Sequence, residues 1–223
     1  TPLQILQGAL TLVFVLVSFI LGLTIMLKYF KYKKRQLLLV GATWIFVVSP
    51  YWPDAISFVM ILLMGQQIDI NLYLFIANAF IAPLHITWML AMTDFLFQKQ
   101  KKIIMLIFTI EAIVYEIIFI LVFISDPTLI GTQITPFVVR FTDFVMVYIL
   151  ISLLSFVITG ILFARISLRS DNIEVRLKGK FIIIAFIFFA FGSLLDVLID
   201  VPTEATIALA RVFMILAAIS FYI

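Results

Sequence analysis

Two arginines, one histidine and several carboxylates stand inside, or at the end of, stretches of this chain that are otherwise apolar: Asp54, His85, Glu111, Glu116, Arg140, Asp143, Asp196, Asp200 and Arg211. An ionisable side chain in such a stretch is costly to bury, so it needs a partner or a task. Position along the stretches sorts these residues into two groups. Arg140, Asp143, Asp196, Asp200 and Arg211, joined by Ser193, fall towards one end. Asp54, His85, Glu111 and Glu116 fall near the middle. Six carboxyls (Asp54, Glu111, Glu116, Asp143, Asp196, Asp200) stand against two arginines. They cannot all be ionised and paired, so some must be neutral, wet or bound to a cation.

Helical spacing gives the first expectations. Arg140 and Asp143 are three apart and Asp196 and Asp200 four apart, so each pair would share a helix face. Counting from a turn at Pro202, Asp196 lies about 9 Å deep and Arg211 about 13 Å deep by helical rise. Arginine side chains extend outward by several ångströms, so Arg211 can reach Asp196. Two readings stay open for this group: a salt-bridge lock between helices, or a polar pocket for a small ligand or ion. Glu111 and Glu116 are five apart, diverge by about 140°, and are expected not to share a site. His85, with Asn78 and Pro83 nearby, reads as a hydrogen-bonded interior histidine. Asp94, near the end of its stretch, is expected to reach the membrane interface.

The elements that would position these residues are seven apolar runs. They cover roughly Leu3 to Leu27, Leu37 to Met64, Leu72 to Leu96, Ile103 to Ile124, Pro136 to Phe163, Phe181 to Ile199 and Glu204 to Ile223. Each is long enough to cross a hydrocarbon core of about 30 Å as an α-helix. Hydrophobic residues make up 65% of the chain and charged residues 12%, against roughly 25% charged in soluble domains. Continuous runs, rather than alternating ones, argue for helices over a barrel.

Of the 15 Lys and Arg, 13 sit in three segments: Lys28 to Arg35, Lys99 to Lys102, and Arg165 to Lys180. These alternate with three loops that carry none. Basic loops held in the cytoplasm place the N-terminus outside and the C-terminus inside. The expected fold is an all-α integral membrane protein, a single seven-transmembrane helix bundle filling residues 1–223, in the plasma membrane. Pro50 and Pro53 should kink the second run, and the static kink is the simpler reading. The charged segment after the fifth run should continue as helix towards the cytoplasm.

Several function classes are set aside. Retinal needs a lysine for its Schiff base, and no run carries an interior one; Arg211 cannot form it. A zinc hydrolase needs several ligands such as histidine, and there is one histidine and no cysteine. Gly192-Ser193 lacks a histidine partner at matching depth for serine chemistry. The expectation is no enzyme, no cofactor and no metal. The net charge of +3 follows from membrane orientation and lipid headgroups, not nucleic acid.

The topology, the compact size, and the charged segment Arg176-Leu-Lys-Gly-Lys180 leading into the sixth run resemble the seven-helix N-terminal membrane region of bacterial and archaeal sensor proteins, sensor histidine kinases among them. The run that stops at the inner face at Ile223 adds to the likeness and suggests a cytoplasmic signalling domain or partner beyond it. The resemblance implies a receptor-like sensory domain that binds a small molecule or ion from outside and signals inward. Two other readings stand beside it: a small solute, proton or cation transporter or channel, and a structural subunit of a membrane complex.

Overall fold

Apolar side chains, few charges and few helix breakers within each run make α-helix the dominant structure. A computed structural model describes residues 1–198 and 203–222. Among these, seven helical segments are long and apolar enough to cross a membrane: Pro2–Tyr32, Arg35–Met64, Ile70–Leu96, Lys101–Ser125, Asp143–Leu168, Ile173–Asp196 and Ala205–Tyr222. Asp200 lies outside the described residues.

The first segment is one helix, α1 (Pro2–Tyr32), closed at its start by a reciprocal cap between Thr1 and Gln4. The second is divided. Helix α2 (Arg35–Phe46) gives way to a 3₁₀ turn at Ser49–Tyr51, and α3 (Trp52–Met64) resumes. Pro50 and Pro53 lack the N–H a continuous helix would need, and Pro53 occupies the first turn of α3, where no donor is missed. The third segment is divided as well, into α4 (Ile70–Asn78) and α5 (Ile81–Leu96). Pro83 sits in the first turn of α5, and its ring disfavours a helical carbonyl at Ala79. Helix α6 (Lys101–Ser125) is continuous.

The fifth run departs from expectation. Its helix, α7 (Asp143–Leu168), starts at Asp143, not at Pro136. The residues before it form an antiparallel hairpin of β1 (Gly131–Thr135) and β2 (Val138–Phe141), with Gly131 opposite Phe141 and Thr132 opposite Arg140. Pro136 stands between the strands, where its missing donor is tolerated, and the flanks are rich in β-branched Thr, Ile and Val. Nor does the helix run on through the charged segment. It stops at Leu168, and α8 (Ile173–Leu198) begins anew after Asn172, whose Oδ1 accepts from the Glu174 amide at 2.8 Å. Helix α9 (Glu204–Tyr222) is the last described element.

The chain divides into two compact units, Thr1–Ser152 and Leu153–Ile223. In the first, α1 and α2 cross with backbones in close approach: a Cβ on Gly22 would stand 2.9 Å from the Gly41 carbonyl oxygen. The hairpin is fastened to the helices of this unit. Gln7 on α1 donates through Nε2 to the Phe137 carbonyl at 3.0 Å, in a buried position. Gln67 donates to Gln133 at 3.0 Å, and the Phe137 ring packs on Phe58. Val139 and Phe141 pack on Ile68, Tyr73 and Ala77. A second cluster gathers Leu74, Ile81, Phe119, Ile130, Val145 and the rings of Tyr115 and Tyr148. In the second unit, Phe156 packs against Phe186 and Phe189 with ring centres 5.0 and 5.6 Å apart.

Candidate functional site

In the second unit an exposed pair, Lys178 with Glu174 at 2.9 Å, lies within α8, and a buried one joins α8 to α9. Helices α8 and α9 approach closely at Gly192, where a Cβ would stand 2.8 Å from the Ala210 carbonyl oxygen. That approach places Arg211, the next residue of α9, beside α8. One turn along α8, Arg211 donates through Nη1 to Asp196 Oδ2. The Arg211 side chain is 3% exposed and that of Asp196 21%, so the guanidinium is sealed while the carboxylate keeps an open flank. Ser193 is buried one turn before Asp196.

Arg140 and Asp143 belong to the first unit and do not share a helix. Arg140 is on strand β2 and exposed, while Asp143 is the first residue of α7 and also exposed. The helical spacing argument therefore fails for this pair, because the backbone turns between them. Asp143 instead stands at the positive end of the α7 dipole, where a carboxylate is favoured.

The middle group splits in two. Asp54, in the first turn of α3, accepts a hydrogen bond from the Tyr73 hydroxyl on α4, and both residues are buried. The interruption that Pro50 and Pro53 impose thus creates a helix N-terminus inside the span, and Asp54 occupies its favourable end. His85 and Glu111 form the other cluster. His85 on α5 is 1% exposed, and its Nδ1 lies 3.3 Å from Glu111 Oε2 on α6. The His85 ring meets Phe108 and Tyr148 edge-on, each at 5.7 Å. Tyr148 on α7 stacks flat on Tyr115 of α6, ring centres 3.5 Å apart.

Glu116, on the same helix α6, is half-buried. Buried without a protein hydrogen-bond partner among the described residues are His85 Nε2, the hydroxyls of Tyr115 and Tyr148, and Asn78 Oδ1. No group of three or more metal-binding side chains occurs among the described residues.

Asp94, on α5, is a polar node joining three helices. Arg35 grips its carboxylate in a bidentate fork, Nε to Oδ2 at 3.0 Å and Nη2 to Oδ1 at 2.7 Å. Lys101 adds a bond to Oδ1 at 2.6 Å and Gln36 one to Oδ2 at 3.1 Å. Sequence reasoning sent Asp94 to the interface alone. The signal that could have found the node was the position of one acid at the end of a run, between two basic segments. Tyr73 and Tyr148 were missed for a different reason: a hydroxyl inside an apolar run is a polar handle that spacing alone does not pair.

Comparison with protein-family models, with curated proteins and with solved structures gives no match.

Proposed function

We propose that the chain is an integral membrane protein, oriented with its N-terminus outside, and that it works as a receptor-like sensory domain for a small ligand or ion. The membrane reading draws support from α6, which turns Ile103, Ile107, Ile110, Ile117 and Ile124 outward, the reverse of a helix packed in a water-soluble core. The receptor reading rests on the lopsided Arg211–Asp196 pair. A sealed guanidinium beside a carboxylate with one open flank is an ion pair that an arriving charged group can enter: an anion competes for Arg211, a cation for Asp196. Displacement of the pair would alter the α8–α9 contact at Gly192, and a shift of packed helices is a route for a signal.

The test uses the chain in lipid nanodiscs. Thermal unfolding is measured with sodium, potassium and sulfate salts and with small carboxylates and amines. A ligand at about 100 times its dissociation constant stabilises the folded state by about 2.7 kcal/mol. Stabilisation that disappears in both Arg211→Ala and Asp196→Asn supports the proposal. The same response in wild type and both variants sinks it.

A transporter is the second reading. It is favoured by the interruption of two consecutive spans, at Ser49–Tyr51 and between Asn78 and Ile81, since transporters place sites at broken helices. Flux into liposomes that is lost in Asp196→Asn or Glu116→Gln would favour it. Absence of flux for every solute and ion tried would leave the receptor reading ahead.

A further inference from the structure

We infer that His85 and Glu111 form a proton-binding site in the first unit, holding one labile proton between them. Both residues lie near the middle of their spans. Glu111 is ten residues into α6, a depth of about 15 Å. The depth of this pair in a bilayer rests on the membrane reading proposed above. At that depth an unpaired carboxylate is expensive, and so is an unpaired imidazolium.

Counting charge fixes the proton number. With one labile proton the pair is neutral overall, either as a carboxyl beside a neutral ring or as a carboxylate beside an imidazolium. Removing the proton leaves a lone negative charge, and adding a second leaves a lone positive one. On β2, Arg140 is exposed, between Val139 and Phe141, which pack on the cluster of Tyr115 and Tyr148. Helix α6 carries Glu111, Tyr115 and, five residues from Glu111, Glu116, and α7 carries Tyr148 and, at its first residue, Asp143. From α2, Arg35 and Gln36 are committed to Asp94, nine residues and about 13 Å further along α5. On α4, Tyr73 is bonded to Asp54. The stacked rings of Tyr115 and Tyr148, 3.5 Å apart, admit nothing between them, and a proton is the ligand that needs no room.

The tautomer follows from the contact. In either one-proton form Nδ1 faces Glu111 through a hydrogen bond, so Nε2 carries a hydrogen. When the proton leaves, the remaining ring hydrogen sits on Nδ1, donating to the carboxylate, and Nε2 becomes bare. Nε2 is buried with no protein partner among the described residues, so nothing competes to hold it in one state. Proton loss thus reads out at a single atom.

His85 is the one histidine of the chain, so ¹⁵N-histidine labelling reports this ring alone. Flotation of the reconstituted protein with its liposomes checks the membrane premise separately. Solid-state ¹⁵N spectra of the liposome-embedded protein are then recorded between about pH 5 and about pH 8. The expected result is an Nε2 signal that changes from protonated to bare as pH rises, with the change displaced or abolished in Glu111→Gln. If that variant does not fold, Glu111→Asp, one methylene shorter, must displace the change as well. An Nε2 signal that does not respond to pH in the wild type overturns the inference. So does a response that the Glu111 substitution leaves unmoved.

Discussion

Arg35 and Asp94 are 59 residues apart in sequence and meet in a two-pronged fork, with both guanidinium bonds at or below 3.0 Å. Fork geometry is something arginine supplies and lysine does not. Lys101 and Gln36 complete the shell around the carboxylate, so this contact ties the start of α2, the end of α5 and the start of α6.

Asp94→Asn should therefore destabilise the first unit by about 2 kcal/mol, and Arg35→Lys by less than that but measurably. Thermal unfolding in nanodiscs at matched lipid composition checks both. Equal stability of Asp94→Asn and wild type would mean that the shell is a surface ion pair of little weight.

For the Arg211–Asp196 pair, breaking and replacing have opposite expectations. Asp196→Ala alone leaves a buried guanidinium without this partner and should cost about 3–5 kcal/mol. The double variant Asp196→Leu with Arg211→Met should recover most of that loss. Full recovery of stability with loss of ligand response would separate a functional pair from a structural lock, and a double-mutant cycle measures the coupling.

The close crossing of α1 and α2 predicts sensitivity at Gly22. Gly22→Val would drive a side chain into the Gly41 carbonyl and Ile45, and overpacking of this kind costs about 1–3 kcal/mol. The unfolding midpoint of Gly22→Val, set beside that of Gly22→Ala, should fall with side-chain size.

At the end of α6 a pH effect is expected. The Thr128 hydroxyl and amide donate to Asp126 Oδ1 at 2.7 and 2.9 Å and hold its carboxyl below the ordinary range. A folded-state value below the unfolded one supports the turn above the unfolded value and loses that support as pH falls through the folded one. The Thr128 amide resonance should therefore shift below about pH 4, and Asp126→Asn should remove the shift.

How much of this was legible beforehand differs from residue to residue. The seven runs were readable because a span needs about 20 apolar residues without interruption, a signal few other structures give. The interruption at Pro50 and Pro53 was readable for the same kind of reason, since a missing donor has a fixed consequence. Pro83 carries the same chemistry, yet the division between α4 and α5 falls upstream of it, where Ala79 and Phe80 give no sign of their own. Arg140 is where the reading failed. Phe137, Val138 and Val139 are apolar and continuous with the helix that follows, and a short apolar run does not distinguish strand from helix. Partner choice was the least legible property. Charge and depth nominate Asp54, His85 and Glu111, but only the packing of separate helices brings Tyr73 to Asp54 and Tyr148 to His85.

The buried bond from Gln7 to the Phe137 carbonyl joins residues 130 positions apart. At translation rates of about 5–20 residues per second, Phe137 follows Gln7 out of the ribosome after on the order of ten seconds. Throughout that interval the Gln7 amide is polar surface on an apolar helix with its final acceptor not yet made. Helix α1 thus gains this bond only after the hairpin, made much later, has formed. Until then the amide must turn to other groups, and the hairpin acts as the latch that replaces them.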